Sequence, residues 1–532
     1  MDDSIGVKRH WIWQGAFVLI LAGVISKILS AVYRVPFQNI VGDVGFYIYQ
    51  QVYPFLGIAV MLSTSGFPVI ISKLMNDYSE KSHHTILKIS ALFLSIIGVL
   101  LFLCLYRGAV PIALFMGDSH LAVLIQVTAF AFLLFPFVAL LRGGFQGRQD
   151  MLPSALSQMT EQFLRVVVLL GLSFWLVKQG ASLYTAGAAA ASGSLAGSFV
   201  ALMILGFFWF KANRDNQTDR QNENVITTKE LTKKLLLYSV TICVSSLLLL
   251  FIQLVDALNL YALLSDGEAS EEAKRLKGIY DRGQPLLQLG SVFAVSIATS
   301  LVPYISKAVK NKELKIMKEK ATSSLKLCLV LGTGASAGLI CILEPVNIML
   351  FQNGEGTAAL QVFSCSILFA SLAVTAAAVL QGAGYTVFPA IAVGAGVAVK
   401  WVLNTLLVPR YGIEGASLAT AASFAAVAGL NLYQLRQKEW LDKIRGIMIP
   451  LIGSALLMSA VLLGYMRLWT FLIPAAGRGA AVIESLSAVA IGGAVFIYCM
   501  MKLGIFTDEE LNSVPFGSKL SKIIKRREQN GG

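Results

Sequence analysis

Charged residues are scarce in this sequence: Asp, Glu, Lys and Arg make up 14% of its 532 residues, whereas hydrophobic residues make up 56%. A soluble protein cannot enclose so large an apolar fraction, because polar groups must cover its surface. Long apolar runs recur along the chain, and each reaches the roughly 20 residues that a helix needs to cross a bilayer. These features exclude a soluble globular domain and predict an all-α, polytopic membrane protein with about fourteen transmembrane helices.

Residues and motifs that carry chemistry are also few. None of the four His residues lies in the middle of an apolar run, and the six Cys residues lie inside such runs without metal-ligand spacing. The sequence contains no Walker loop, GxSxG motif or HExxH motif. We therefore predict no enzyme activity, no metal site and no resident cofactor. Uphill transport would need coupling to a Na⁺ or H⁺ gradient, to the membrane potential, or to downstream consumption of the substrate.

The positive charge is distributed as in a membrane protein rather than a nucleic-acid-binding protein. The net charge is +13, and Lys and Arg are concentrated in alternate loops and in the two ends of the chain. The segment from Lys307 to Lys326 carries seven Lys, whereas the loop around Asp266 and Glu268 is acidic. By the positive-inside rule, both termini are predicted to be cytoplasmic in a plasma membrane. The basic tail is expected to attract anionic membrane lipids.

The chain contains an internal repeat. Pro68 and Pro303 end similar segments and lie 235 positions apart, and the Gln-Gly pairs at Gln146 and Gln381 have the same offset. This pattern predicts two six-span halves of parallel topology, an architecture in which transporters place a site at the interface of the halves. The predicted boundaries are 1–210 and 235–435 for the two bundles, 211–234 for a basic cytoplasmic linker, 436–502 for two additional helices and 503–532 for a basic cytoplasmic tail.

Several charged residues lie within or beside the predicted spans, where a central charge costs at least about 2.5–3.5 kcal/mol. We interpret the basic ones as the lining of a water-filled cavity that binds phosphate or pyrophosphate, because Arg presents forked donors to such groups. These candidate substrate-binding residues are Lys27, Arg34, Arg165, Arg282 and Lys400. The candidate coupling or supporting residues are Glu161, Asp256 and Asp281.

Structural interpretations of the same residues stay open. Glu161 lies four residues before Arg165, so the two could form an ion pair within one helix and neutralise each other. Arg34 and the Asp281-Arg282 pair could lie at the membrane interface with their charged ends in water. Lys27 and Lys400 have no opposite charge within one turn of their own helices, which favours a functional role.

The segment Ile25–Pro36, followed by Gly42 and Tyr47, is the most specific part of a resemblance to a known transporter superfamily. The predicted architecture supports the same resemblance. The chain resembles the multidrug/oligosaccharidyl-lipid/polysaccharide (MOP) exporter superfamily over nearly its whole length. It is most similar to the polysaccharide-transport branch, including stage V sporulation protein B-like membrane proteins and lipid II flippases. The resemblance implies a V-shaped, MATE-like pair of bundles that moves a lipid-linked sugar across the membrane by alternating access.

The resemblance also implies roles for particular residues. In the lipid II flippases, arginines of the first and eighth helices form the pyrophosphate site, and Lys27, Arg34 and the Asp281-Arg282 pair match those positions. This chain departs from the pattern in two ways: Lys replaces the first Arg, and seven positions separate Lys27 from Arg34 where six are expected. The resemblance further implies a groove for a lipid tail beside the last two helices.

The leading hypothesis is a flippase for an undecaprenyl-pyrophosphate-linked saccharide in peptidoglycan, spore-wall or other cell-envelope polysaccharide assembly. Its expected partners are the lipid-linked saccharide, membrane lipids and cell-wall synthesis proteins, but not nucleic acid. One alternative is a cation-coupled multidrug antiporter, which would need mid-membrane carboxylates to bind Na⁺ or H⁺. The other alternative is a non-transporting membrane scaffold of the wall synthesis machinery.

Overall fold

A chain surrounded by lipid must satisfy its backbone hydrogen bonds internally, and apolar runs do so as helices. The computed structural model describes residues 18–19, 21–212, 228–266, 270–442, 445–473 and 477–503, and the long elements in these ranges are helices. The all-α prediction is thereby confirmed. The start of the first predicted span at Trp11, residues 213–227 of the predicted linker and residues 504–532 of the predicted tail lie outside the described residues.

We number the helices in chain order. They are α1 (Leu21–Asp77), α2 (Glu80–Phe115), α3 (Leu121–Gly147), α4 (Leu152–Lys178), α5 (Leu183–Ala212), α6 (Thr228–Ser246), α7 (Leu248–Leu264), α8 (Glu271–Asp281), α9 (Gly283–Lys310), α10 (Leu314–Phe351), α11 (Thr357–Gly382), α12 (Val387–Gln437), α13 (Arg445–Leu472) and α14 (Arg478–Lys502). We call α1–α5 the first half and α6–α12 the second half.

The helices account for the predicted number of membrane crossings. Among the described residues, eleven continuous helical segments are long and apolar enough to span a membrane, and the bent pair α6–α7 makes a twelfth. Two of them, α1 with 57 residues and α12 with 51, are too long for one crossing. As one straight helix, α1 would extend about 85 Å, whereas the bilayer core is about 30 Å thick. Left-handed backbone interrupts α1 at Gly42 (φ 69°) and α12 at Gly412 (φ 54°). Divided at these glycines, the segments give fourteen candidate spans within the described ranges.

The internal repeat appears in the backbone conformation as well as in the sequence. Gly117 (φ 86°) and Gln352 (φ 72°) are both left-handed and lie 235 positions apart. Gln149 (φ 62°) and Gly384 (φ 88°) form a second left-handed pair with the same offset. Such backbone is uncommon outside glycine, so its recurrence at one offset indicates that equivalent loops of the two halves share one conformation.

Side-chain contacts repeat at the same offset. The Tyr47 hydroxyl donates to Asp118 Oδ2 (3.1 Å) in the first half. In the second half, Arg282 Nη1 donates to Asn353 Oδ1 (2.7 Å). Both members of the second pair lie 235 positions after those of the first. These contacts lie at the end of the bundle that is predicted to face outward, which we call the predicted outer end.

The two halves meet along the second part of α1 and the pair α6–α7. A hypothetical Cβ on Gly57 would lie 2.6 Å from the Leu250 side chain, and the Tyr47 and Tyr261 rings pack with centroids 5.0 Å apart. Each partner helix has one π-helical turn, Leu62–Gly66 in α1 and Ser239–Cys243 in α6. The two turns meet where Gly66 faces Cys243. The helices α13 and α14 pack against each other and against α10, around Leu343, Met458 and Leu462.

Candidate functional site

A buried carboxylate in α4 binds two arginines. Glu161 Oε2 accepts from Arg142 Nη2 (2.8 Å), and Glu161 Oε1 accepts from Arg165 Nη2 (3.2 Å). All three residues are at most 4% exposed. The ion pair of Glu161 with Arg165 anticipated from the sequence is therefore present, but the second arginine leaves the group with one net positive charge. Sequence reasoning missed Arg142 because the predicted span ended at Leu141, whereas α3 continues to Gly147.

Close helix packing fixes this charged group. A Cβ on Gly193 would lie 2.9 Å from the main-chain oxygen of Arg165, and one on Gly197 would lie 2.5 Å from that of Glu161. The two glycines therefore let α5 contact the backbone of α4 directly, as small residues do at helix interfaces in membranes. Ser198, next to Gly197, donates to Glu161 Oε1 (3.1 Å). The carboxylate is thus fixed by three donors from three helices.

Arg34 is buried among tyrosines. It is 2% exposed, its guanidinium lies 4.2 Å from the centre of the Tyr53 ring, and Tyr33 is a further neighbour. No carboxylate pairs with Arg34 in the described ranges. The interpretation of Arg34 as an interfacial residue with its charge in water is therefore wrong. Tyr33 and Tyr53 interact electrostatically with Arg165 as well as with Arg34, and Arg34 also interacts with Asp281 of α8.

Lys27 lies where the two halves approach each other. Its main-chain oxygen is 3.5 Å from Gln288 Nε2 of the second half. One turn earlier, Gly23 faces Gln158 of α4, with 3.9 Å between its hypothetical Cβ and Gln158 Nε2. The Lys27 side chain is half-buried, and its ammonium has neither an ion pair nor a hydrogen bond within the part of the chain that the structure describes.

We use the name first-half cationic cluster for the buried or half-buried charged residues of α1, α3 and α4 described above: Lys27, Arg34, Arg142, Glu161 and Arg165. Four cations and one carboxylate leave three net positive charges. Three buried donors of this region, Arg34 Nε, Arg165 Nε and Gln162 Nε2, have no acceptor among the described residues. Buried N–H groups that lack an acceptor cost free energy, so the cluster is suited to an anion with several oxygens.

Arg282 joins the two halves at the predicted outer end. It donates to both carboxylate oxygens of Asp43, from Nε (3.0 Å) and from Nη2 (2.6 Å), and also to Asn347 and Asn353. Asn39 of α1 adds a second bridge between the halves through Gln352 (2.7 Å). Sequence reasoning missed Asp43, which directly follows the break at Gly42. Polar contacts therefore join the two halves at the predicted outer end.

Asp281 has a separate partner. Lys277, four residues earlier in α8, donates to both of its carboxylate oxygens at 2.6 and 2.7 Å. Asp281 and Arg282 are both fully buried, so the interpretation of this pair as water-exposed interfacial charges is wrong. The two residues are adjacent in sequence but belong to different ion pairs.

Lys400 is paired within the second half. Its ammonium lies 2.6 Å from Asp256 Oδ1, and neither residue is exposed. Asp256 belongs to α7 and Lys400 to α12, so the pair depends on the packing of two helices that are distant in sequence. The structure therefore brings Arg165 and Glu161 together with Arg142 in the first half, with Arg34 among tyrosines that also neighbour Arg165, and holds Lys400 with Asp256 elsewhere. In the part of the chain that the structure describes, no side-chain contact joins Lys27 to this group.

Comparison with known proteins places this chain in a family. A family model described as "Polysaccharide biosynthesis protein" matches residues 12–309. The chain is 94% identical to the membrane protein YabM of Bacillus subtilis (strain 168) over 100% of both chains. It is 26% identical to the lipid II flippase MurJ (92% of this chain, 95% of the relative) and to stage V sporulation protein B (95% and 98%), both of that strain. The chain belongs to the polysaccharide biosynthesis protein family.

Solved structures confirm the predicted fold. A lipid II flippase MurJ in an inward closed conformation matches with a TM-score of 0.65 and 16% identity, over 91% of this chain and 98% of that one. An outward-facing MATE multidrug resistance transporter of the MOP superfamily matches with a TM-score of 0.57 and 15% identity, over 80% and 95%. The relatives with stated functions are flippases and transporters. The prediction of a multi-pass membrane transporter rather than an enzyme is thus confirmed at this level.

Proposed function

We propose that this protein is a flippase that moves an undecaprenyl-pyrophosphate-linked saccharide across the plasma membrane by alternating access. The observation that carries the proposal is the first-half cationic cluster, with three net positive charges and three buried donors that lack acceptors among the described residues. A pyrophosphate supplies both the negative charge and the acceptor oxygens. The relation to a lipid II flippase supports the same substrate class.

Within this proposal, Lys27 makes the first contact with the pyrophosphate. It lies at the interface of the halves, and its ammonium has no partner in the described ranges. Arg34 and Arg165 lie deeper and offer unmatched Nε donors, so a phosphate group held by Lys27 would be neutralised further by these two residues. The binding must stay moderate, because a substrate held too tightly in one state would not be released in the other.

The contacts between Asp43 and Arg282 act as the outer gate in this scheme. With this end closed, the substrate enters from the opposite side, which we infer to be cytoplasmic. That orientation rests on the positive-inside distribution and places both termini in the cytoplasm. The exported saccharide would serve assembly of peptidoglycan, spore wall or another envelope polymer, together with cell-wall synthesis proteins.

The contacts of Glu161 and Asp256, the carboxylates that kept the multidrug antiporter open at the level of the sequence, argue against that function. That function needs carboxylates free to bind Na⁺, H⁺ or a cationic drug. Glu161 instead binds Arg142 and Arg165, and Asp256 binds Lys400. We therefore do not propose the antiporter as a second function.

Translocation in liposomes tests the proposal. Purified protein is reconstituted with a fluorescent undecaprenyl-pyrophosphate saccharide, and the fraction accessible to a membrane-impermeant quencher is followed over time, with and without an imposed potential. We expect protein-dependent flipping that slows about ten- to a hundredfold in Lys27→Ala, since a charge-assisted contact contributes about 1.5–3 kcal/mol. Lys178→Ala, which alters an exposed lysine at the end of α4, is the matched control.

Two other results would contradict the flippase. Transport of a cationic dye against a Na⁺ or H⁺ gradient, without flipping, would favour the antiporter. No transport of either kind by correctly folded protein would favour the non-transporting scaffold.

A further inference from the structure

The ammonium of Lys400 lies in a cage of oxygen atoms. Besides Asp256 Oδ1 (2.6 Å), it contacts Thr420 Oγ1 (2.7 Å), the main-chain oxygen of Ala416 (3.0 Å) and the Tyr280 hydroxyl (3.3 Å). These oxygens come from four residues on α7, α8 and α12, and all four residues are buried. The cage is therefore closed to solvent and is built from three separate helices.

Other contacts hold the cage in shape independently of Lys400. The Tyr280 hydroxyl donates to Asp256 Oδ2 (2.7 Å), and Asn404 Nδ2 donates to Asp256 Oδ1 (3.0 Å). Asn404 Nδ2 also donates to Asn259 Oδ1 (2.9 Å). The remaining oxygen of Asn404 is buried and has no donor among the described residues. The carboxylate is thus fixed by two neighbours, and a further oxygen acceptor is present beside it.

This set of atoms has the chemistry of a site for a small monovalent cation. Carboxylate, hydroxyl and main-chain carbonyl oxygens replace the hydration shell of alkali cations in membrane proteins. A lysine ammonium is itself a compact monovalent cation, but it is covalently tethered. The cage has one formal negative charge, from Asp256, and the Lys400 ammonium balances that charge.

We propose that Lys400 is a built-in cation that occupies a monovalent-cation site in the second half, and that its removal creates a Na⁺ site at Asp256. A tethered ammonium cannot be exchanged with the solution, so this site cannot couple transport to a Na⁺ gradient. The inference concerns ion binding and does not depend on which substrate the protein carries.

Thermal unfolding in defined salts tests the inference. The wild type and Lys400→Ala are unfolded in detergent with increasing NaCl, and choline chloride holds the ionic strength constant. We expect the wild-type Tm to change by less than about 1 °C and the Lys400→Ala Tm to rise by about 3 °C or more, because a ligand stabilises the folded state that binds it. The rise should be lost in Lys400→Met/Asp256→Asn, which removes both charges.

The other outcomes would overturn the inference. One is a Na⁺-dependent rise in the wild-type Tm equal to that of Lys400→Ala. The others are an unchanged Tm in folded Lys400→Ala, or a Tm rise that persists in the uncharged double variant. If Lys400→Ala fails to fold in choline salt, it is purified in NaCl instead. If Lys400→Ala folds in NaCl but not in choline salt, the result supports a Na⁺ site. If Lys400→Ala folds in neither salt while the double variant folds, the result contradicts a Na⁺ site.

Discussion

At the scale of single residues, buried carboxylates determine which basic side chains keep an uncompensated charge. Asp256 binds Lys400, and Asp281 binds Lys277. Glu161 differs because it is shared by two arginines. Removing one partner from a buried ionic group typically costs about 3–5 kcal/mol, because the charges that remain cannot be solvated.

This difference predicts the effect of Glu161→Gln on stability. The substitution leaves Arg142 and Arg165 close together without a counter-charge, so we expect the free energy of unfolding to fall by about 3 kcal/mol or more. The Tm of purified protein measures the change. Glu271→Gln is the matched control, because Glu271 pairs with Lys274 at a site where its side chain is 75% exposed, and such pairs contribute at most about 1 kcal/mol. Equal Tm values for both variants would contradict a shared buried carboxylate.

The sequence predicts pairs within one helix better than pairs between helices. Glu161 and Arg165 were recognised as partners because a spacing of four places two side chains on the same helix face. The sequence does not reveal Asp256 and Lys400 as partners, because their contact exists only after α7 and α12 have packed together. Arg142 was missed because span boundaries drawn from hydropathy alone are uncertain by several residues.

At the scale of helices, the two π-helical turns mark one contact between the halves. π-helical turns are rare and frequently lie at functional sites. The hypothetical Cβ of Gly66 lies 3.0 Å from Cys243 Sγ, so the two backbones approach closely there. The polar bridges of Asp43 with Arg282 and of Asn39 with Gln352 lie at one end of the bundle instead. We infer that the halves rock about the π-helical turns and separate at the bridges.

Cross-linking distinguishes these two places. Gly66→Cys puts a thiol within reach of the native Cys243, and we expect the resulting disulfide to leave liposome translocation nearly unchanged, because a pivot does not separate. Asn39→Cys/Gln352→Cys, joined by a short thiol-reactive cross-linker, should stop translocation until the link is reduced. Equal inhibition by both links would contradict rocking about the π-helical turns. The single-cysteine variants treated with the same reagents are the controls.

The sequence predicted the helices well and the breaks within them poorly. The number of crossings follows from apolar runs of sufficient length, which hydropathy reports directly. Hydropathy predicts loops at residues 34–45, between the first two spans, and at 409–415, between the eleventh and twelfth spans. Both segments are instead helical, apart from Gly42 and Gly412. Hydropathy cannot separate a loop from helix that projects beyond the membrane core. The bend of 72° at the junction of α6 and α7 lies inside a predicted uninterrupted span.

At the scale of the whole molecule, the two halves repeat loop conformations and a side-chain contact but differ in electrostatics. The first-half cationic cluster keeps three net positive charges, whereas Lys277 and Lys400 of the second half are neutralised by partners within that half. Arg282 is neutralised by Asp43 across the interface. We therefore predict that the first half holds the substrate's anion while the second half moves relative to the first.

The sequence predicted the duplication but not this asymmetry. The common offset of Pro68 with Pro303 was visible by inspection, and the left-handed loop residues agree with it. Arg165 and Lys400 share the offset, and this equivalence suggested equal roles in one cavity. Their roles differ because Arg165 shares its carboxylate with Arg142, whereas Lys400 has Asp256 to itself.

The affinity for undecaprenyl pyrophosphate, measured by native mass spectrometry, shows which half of the protein holds the substrate's anion. If the first half holds the anion, Lys27→Met and Arg34→Gln should each weaken binding about tenfold or more, since every 1.4 kcal/mol is a factor of ten. The uncharged pair Lys400→Met/Asp256→Asn should bind within about twofold of the wild type. Unchanged binding in the two first-half variants, together with a large loss in the second-half pair, would contradict the account.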